Sequence, residues 1–383
     1  MSTILITGAR APVALDLARA FTATGHEAHL ADSVRPWAAR ACIGDAARLH
    51  LLAPPRFAFE RFAEGLAALV ERLDPDLVVP TCEEVFYVAE AAQRRGFADR
   101  VFAPAPELLR RLHSKVEFAR LAQACGVAAP QTQRISDGAE LAALSGVADM
   151  LVLKPEFSRF ASHALIRPTP RQLGRVRPTA VTPWAAQAFV PGEEICIWSA
   201  ARAGEVVAFA AYKPRWRLGR SASFYFEADH DPALLQMTRT IAAATNTTGQ
   251  LSFDAIRSAD GLVSPIECNP RSTSGLHLFD GAAALAHALL GEDKVLTPPA
   301  PARHIGAAMW LFAAAPAVLR GQARSYLDDL RRSGDVLRAL GGAPVAAGAL
   351  VDAARFAVVG LSRGRSASGQ STDDIEWNGE AIG

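Results

Sequence analysis

GQLSFDAIRSADGLVSPIECNPR, residues 249–271, sets two apolar runs on either side of Asp260-Gly261. An Asp-Gly pair between strand-like runs is the strongest short-range signal for a β-hairpin. With these two as the central turn residues, the register opposes Ala255 to Ile266, Phe253 to Cys268 and Leu251 to Pro270, all apolar. Side chains alternate along a strand with period two, so the other face carries Asp254 against Glu267, Ser252 against Asn269 and Gln250 against Arg271. Directly opposed side chains stand about 5 Å apart, and like charges there are destabilising by a few tenths to about 1 kcal/mol. A divalent cation removes that conflict. Two carboxylates and an amide oxygen suit a hard, oxygen-seeking ion such as Mg²⁺, with Mn²⁺ as an alternative. Arg271 adds a planar fork for a phosphate or carboxylate. The competing interpretation is a solvent-facing hairpin whose acids are hydrated.

The chain that carries this stripe has 383 residues, long enough for two or three domains. Half its residues are hydrophobic and the formal net charge is +1, which makes no electrostatic case for nucleic acid or a membrane surface. The five cysteines are scattered without a CxxC pair, as expected of reduced thiols in a cytoplasmic protein. The N-terminus lacks a basic n-region and reads as patterned structure, not a signal peptide. No apolar stretch reaches the ~18–20 residues that span a bilayer. The nearest, residues 304–319, is interrupted by Pro316.

Upstream, TILIT (residues 3–7), EAHLAD (27–32), DLVVP (76–80) and RVFAP (100–104) read as strands alternating with helices, an α/β layer over residues 1 to about 105. A helix is expected over 107–126. Strands dominate from 131 to about 275, broken by one helix near 231–245. A second hairpin turn is expected at Ala203-Gly204. The last eighty residues read as helical and end in a polar tail resembling a flexible surface segment.

Two lysines and an acidic hinge complete the pattern. Lys115 lies in HSKVEFARLAQACG, Lys154 ends the strand LVLKP, and QAFVPGEE (187–194) is a strand, a Pro-Gly turn and an acidic pair. Individually these read as solvated or snorkelling charges. Together with GQLSFDAI and ECNPR, in this order, they resemble the ATP-grasp superfamily, especially its carbamoyl-phosphate-synthase-like, carboxylate-amine ligase members. The resemblance implies an α/β and α+β ATP-grasp fold in four parts. These are a Rossmann-like pre-ATP-grasp domain (1–106), a first subdomain (107–185), a second subdomain with the Mg/ATP site (186–300), and a helical C-terminal region with its tail (301–383). It implies that Lys115 and Lys154 hold the ATP phosphates and that Gln187 faces the adenine amino group. Ala188 and Val190 would offer backbone groups to the base, and Glu194 would accept from the ribose hydroxyls. Asp254, Glu267 and Asn269 match the metal ligands, and Arg271 matches the residue that steadies the transferred phosphoryl group.

Two segments depart from that pattern or extend it. The loop after Lys154, EFSRFASHALI, lacks the glycines whose N–H groups usually close over phosphate; Ser158, Arg159 and Ser162 are its substitutes. The basic loop YKPRWRLGRSAS (212–223) is a candidate mobile lid, with Lys213 the member assigned to the γ-phosphate.

TGARAPVALDLARAF, with Asp32 some two dozen residues after Gly8, invites a dinucleotide interpretation, but the further glycines it requires are missing. Glu83 and Glu84 in PTCEEVF either contact a cationic acceptor or form the acidic first turn of a helix. The resemblance implies an ADP-forming ligase for small-molecule carboxylate and amine (or thiol) substrates, without nucleic acid or membrane, and is compatible with a homodimer. A degenerate ATP-binding module and an NAD-dependent reductase are the alternatives.

Overall fold

The computed structural model describes residues 1–158, 164–217 and 223–383. Arg159, Ser162 and Arg220 fall outside the described residues. Three sheets follow one another along the chain. The first is parallel, in the order β3-β2-β1-β4, from β1 (Thr3–Thr7), β2 (Glu27–Asp32), β3 (Leu49–Leu51) and β4 (Leu77–Val79). The second is small and antiparallel: β5 (Thr132–Ile135), β6 (Leu151–Pro155), β7 (Leu165–Ile166) and β8 (Trp184–Ala188), in the order β5-β8-β6-β7. The third is built mainly from β9 (Glu193–Arg202), β10 (Glu205–Arg217), β11 (Ser223–Asp229), β12 (Gly249–Arg257) and β13 (Val263–Asn269). It runs past residue 300, into the stretch expected to be helical, through β14 (Ala302–His304) and β15 (Gly334–Asp335).

Each face of the large sheet has its own core. Ile195, Ile197, Ala211, Phe253 and Ala255 pack under the helices Lys115–Ala124 and Pro232–Ala244. Cys196, Trp198, Tyr212 and Phe226 pack toward the first domain's helix Pro12–Ala23. The Ala203-Gly204 turn is a two-residue hairpin with positive φ at both positions, and Arg202 faces Glu205 across it.

The helix expected over 107–126 is two helices, Pro106–His113 and Lys115–Ala124. Ser114 breaks it because its hydroxyl accepts from the Glu117 N–H and caps the second helix. Lys115 is therefore a first-turn residue, not a mid-helix one, and it is 1 % exposed.

Further along, the helix Ala343–Ser362 has the length and apolar composition of a membrane span, contrary to the expectation that no apolar stretch reaches that length; Asp352 and Arg355 are its two charged residues. Here Asp352 caps the helix Trp37–Ile43 by accepting from the Trp37 and Ala38 N–H groups.

The C-terminal tail is not a loose segment. Ile375 and Trp377 are 3 % and 5 % exposed, and Trp377 stacks on Phe86 with 4.6 Å between ring centroids. Burying two such side chains stabilises this segment by about 1.5–3 kcal/mol each. Asp374 binds the Arg10 guanidinium at 2.6 and 2.9 Å and accepts from the Ser33 hydroxyl, and Arg10 also binds Asp32 at 2.5 Å. Gly379 sits against Phe157, where a Cβ would stand 2.5 Å from the ring.

Candidate active site

The hairpin at the centre of the sequence argument forms, with Asp254 opposite Glu267, Phe253 opposite Cys268 and Ser252 opposite Asn269. It gets there by two departures that cancel. The loop holds three residues, Ala259 to Gly261: Ser258 N–H donates to the Leu262 carbonyl, and Gly261 takes the left-handed conformation. That shifts Ala255 onto Pro265 in place of the expected Ile266. A bulge at Ile266 then restores the register before Glu267. The bulged carbonyl is put to use, accepting from Lys154 Nζ at 3.0 Å and from Gln187 Nε2 at 3.2 Å.

Both lysines converge on Glu267. Its Oε2 lies 3.6 Å from Lys154 Nζ and 3.8 Å from Lys115 Nζ. Lys115 also donates to the Ser158 carbonyl at 2.8 Å and, at 3.3 Å, to that of Glu156. Burial lowers the Lys154 ammonium to about 8, against the pull of Glu267. Burial pushes the Asp254 carboxyl up to about 7, reinforced by Glu267 and Glu194. Burial acts on Glu267 in the same sense, but Lys115 and Lys154 outweigh it and hold that carboxyl below its usual value. The two acids are thus unequal: one is matched by lysines, and the other, half-buried, has no ion pair among the described residues.

Such a pair fits a divalent cation, because a second positive charge beside Asp254 removes the reason it holds its proton. Among the described residues no three His, Cys, Asp or Glu side chains gather as a metal cluster, so further oxygens would come from amides, water or substrate. Asn269 braces its neighbours: its amide nitrogen lies 3.4 Å from Glu267, and its oxygen accepts from Arg271 at 3.2 Å. The Arg271 guanidinium also reaches Glu83, 3.5 Å away in the loop after β4.

On the small sheet, Lys154 pairs with Ala185 and Val152 with Gln187, so Lys154 and Gln187 share a face. Gln187 also donates to the Thr132 hydroxyl at 3.1 Å. The Ala188 N–H is engaged by the Gln131 carbonyl at 2.8 Å, and Val190 lies half-buried just past the strand. Glu194 stands on the Asp254 face of the large sheet, two residues from Cys196, and is held by the Arg217 guanidinium at 2.8 and 2.9 Å.

Lys213 is not brought to this group. It lies within β10 and points to the opposite face, where it pairs with Glu193 at 3.2 Å beside Asp229 and Arg257. Period-two alternation decides this: Tyr212 packs with Cys196 on the Asp254 side, so its neighbour Lys213 faces away. Among the described residues of the same basic segment, Arg217 reaches Glu194.

Two buried acids act as structural supports: Glu156, which went unread in the sequence, and Glu84, read there as an acceptor contact or a helix's acidic first turn. Glu156, fully buried, accepts from Ser114 and from Arg134 at 2.6 Å, tying the loop after Lys154 to the cap that aims Lys115. Its one sequence signal is an acid directly after the strand-ending Lys-Pro. Glu84 accepts at a single oxygen from Thr7 and from the Thr81 and Cys82 N–H groups, and burial raises its carboxyl. It is a scaffold of the first domain, just ahead of the helix Val85–Arg95.

No protein-family model matches the chain, and no curated protein matches it. Solved structures do. An L-amino acid ligase from Bacillus licheniformis aligns with a TM-score of 0.57 at 15% identity, covering 76% of each chain. An N5-carboxyaminoimidazole ribonucleotide synthetase in its ADP complex aligns at 0.64 and 14% identity, over 84% of this chain and 85% of that one. The Staphylococcus aureus N5-carboxyaminoimidazole synthetase complexed with ADP aligns at 0.63 and 10% identity, over 83% and 86%. At such identities the likeness concerns the fold, and that fold is ATP-grasp.

Proposed function

We propose that the protein is an ATP-dependent, ADP-forming ligase that joins a small carboxylic acid to an amine through an acyl phosphate. The observation that carries this is the half-buried Asp254–Glu267 pair on adjacent antiparallel strands, with Lys115 and Lys154 converging on Glu267 and Arg271 flanking it. Two similar structures hold ADP, which supports a nucleotide in the cleft between the small and large sheets.

In this reading the acid's carboxylate oxygen attacks the γ-phosphorus, and the bond to the β–γ bridging oxygen breaks as ADP leaves. The amine nitrogen then attacks the acyl carbon, inorganic phosphate departs, and the nitrogen loses a proton. Mg²⁺ or Mn²⁺ held by Asp254 and Glu267 would neutralise charge on the phosphates. The chain's own residues do the positioning. Lys115 and Lys154 already hold their ammonium groups aimed at one point, so little ordering remains when phosphate arrives. Arg271, held by Asn269, Glu83 and the Ser272 carbonyl, would turn its fork to the transferred group. Gln187 and the backbone at Ala188 and Val190 border the adenine side, and Glu194, once released by Arg217, accepts from the ribose. A thiol acceptor fits the same scheme.

The test is ADP release from ATP across a screen of acid–amine pairs, with Glu267→Gln beside the wild type. ADP formation by the wild type and its loss in a folded Glu267→Gln variant is the expected result. Turnover by Glu267→Gln at the wild-type rate would overturn the metal assignment, and no ADP from any pair would overturn the ligase.

A further inference from the structure

In an open parallel sheet, ligands bind in the crevice outside the carboxyl ends of the strands, at the point where strand order reverses. Here that point lies between β1 and β4, bordered by the loops at 8–11 and 80–84. The same crevice adjoins the large sheet, through Gln250 donating to the Pro80 carbonyl at 2.7 Å and Arg271 reaching Glu83. It is the natural entrance for an acceptor approaching Arg271.

The chain's own C-terminal segment fills the β2 side of this crevice. Asp374 lays its carboxylate on the Arg10 guanidinium and the Ser33 hydroxyl, the contacts an anionic ligand would make there. Ile375 follows it into the space between Gly8, Asp32, Leu52 and Phe62, leaving a void of about 10 Å³. That is at or below the space a single water needs. Gly8 is closed from the opposite side, since a Cβ there would meet Thr81 at 2.5 Å and Glu84 at 2.8 Å. Asp32, the acid expected on a ribose, is already bound to Arg10. Two buried anchors, Ile375 and Trp377, and the Arg10–Asp374 pair make the segment a fixed wall.

We propose that residues 373–377 are the acceptor-size filter of the enzyme. They occupy the β2 side of the crevice, where Asp374 takes the Arg10 and Ser33 contacts, and leave the acceptor only the Glu83 side, which suits a small amine. The size preference rests on the ligase reading above; the occupied crevice does not.

The test uses the full-length chain in two arms. In the binding arm, hydrogen exchange is followed with ribose 5-phosphate on the wild type and on Asp374→Ala/Ile375→Ala. The probe should leave residues 8–10 and 31–33 unchanged in the wild type and protect them in the double variant. Protection of the wild type, or none in a double variant shown to be folded, overturns the plug. In the turnover arm, ADP release with glucosamine 6-phosphate is compared with release with L-alanine, using an acid the wild type accepts. The ratio should rise at least ten-fold in the milder Ile375→Ala variant, with the KM for ATP unchanged. An unchanged ratio overturns the filter. If no acid–amine pair yields ADP, the ligase reading falls and the binding arm still decides the plug.

Discussion

Asp254→Asn should make the metal-free protein more stable while removing its response to Mg·ATP. Burial, Glu267 and Glu194 raise the Asp254 carboxyl from 3.8 to about 7. The folded chain therefore holds a proton that the unfolded chain has lost between about pH 4 and pH 7. Stability falls as pH rises across that window and levels off above it. Three units at about 1.36 kcal/mol each amount to a ceiling of about 4 kcal/mol at pH 8. Asparagine keeps the shape without the charge, so in EDTA at pH 8 the variant should exceed the wild type by about 2–4 kcal/mol. At pH 5 the wild type bears only the first part of the cost, and the gap should fall below ~2 kcal/mol. Urea denaturation at the two pH values, with and without Mg²⁺ and a non-hydrolysable ATP analogue, reads all of this. A ligand at a hundred times its Kd adds about 2.7 kcal/mol to the wild type, and the variant should lose most of that gain. An Asp254→Asn variant less stable than wild type in EDTA at pH 8, or equally stabilised by Mg·ATP, would refute the reasoning.

Arg10→Ala leaves buried Asp32 and half-buried Asp374 without their shared cation, and should cost about 3 kcal/mol in urea denaturation. Gly8→Ala forces a side chain into the left-handed region against Thr81 and Glu84, and should lose about 2 kcal/mol or more by the same measurement. Lys154 titrates at about 8 in the folded chain, below its unfolded value, so metal-free stability should rise as pH climbs from about 8 to 10.5. Over that range calorimetry should show ATP affinity falling as the ammonium is lost, and Lys154→Met should abolish the dependence.

The carboxylate pair was legible because a hairpin is a local object whose register a turn signal sets within a few residues. The count from Asp260-Gly261 still needed the bulge at Ile266 to correct the three-residue loop, and no residue type announces a bulge. Lys115 was misplaced within its helix although SKVE carries the Ser-x-x-Glu cap that starts a new one. For Lys213 the composition of the segment suggested a lid, while the alternation of VVAFAAYK already set its direction if β10 runs on through Pro214. The tail misled for a different reason. Its apolar anchors, Ile375 and Trp377, stand singly among polar residues, so averaging over the segment hides them, and the pocket that receives them is assembled by residues over 200 positions earlier.

The bulged carbonyl of Ile266 has a mechanical meaning. It ties Lys154 and Gln187, both on the small sheet, to the hairpin that carries Glu267. A phosphate that draws Lys154 away removes one of those two bonds and leaves the other. If the proposed function holds, the small sheet would then turn on Gln187 as a door turns on its remaining pin. One extra residue in a strand thereby links the small sheet to the hairpin beside the two lysines.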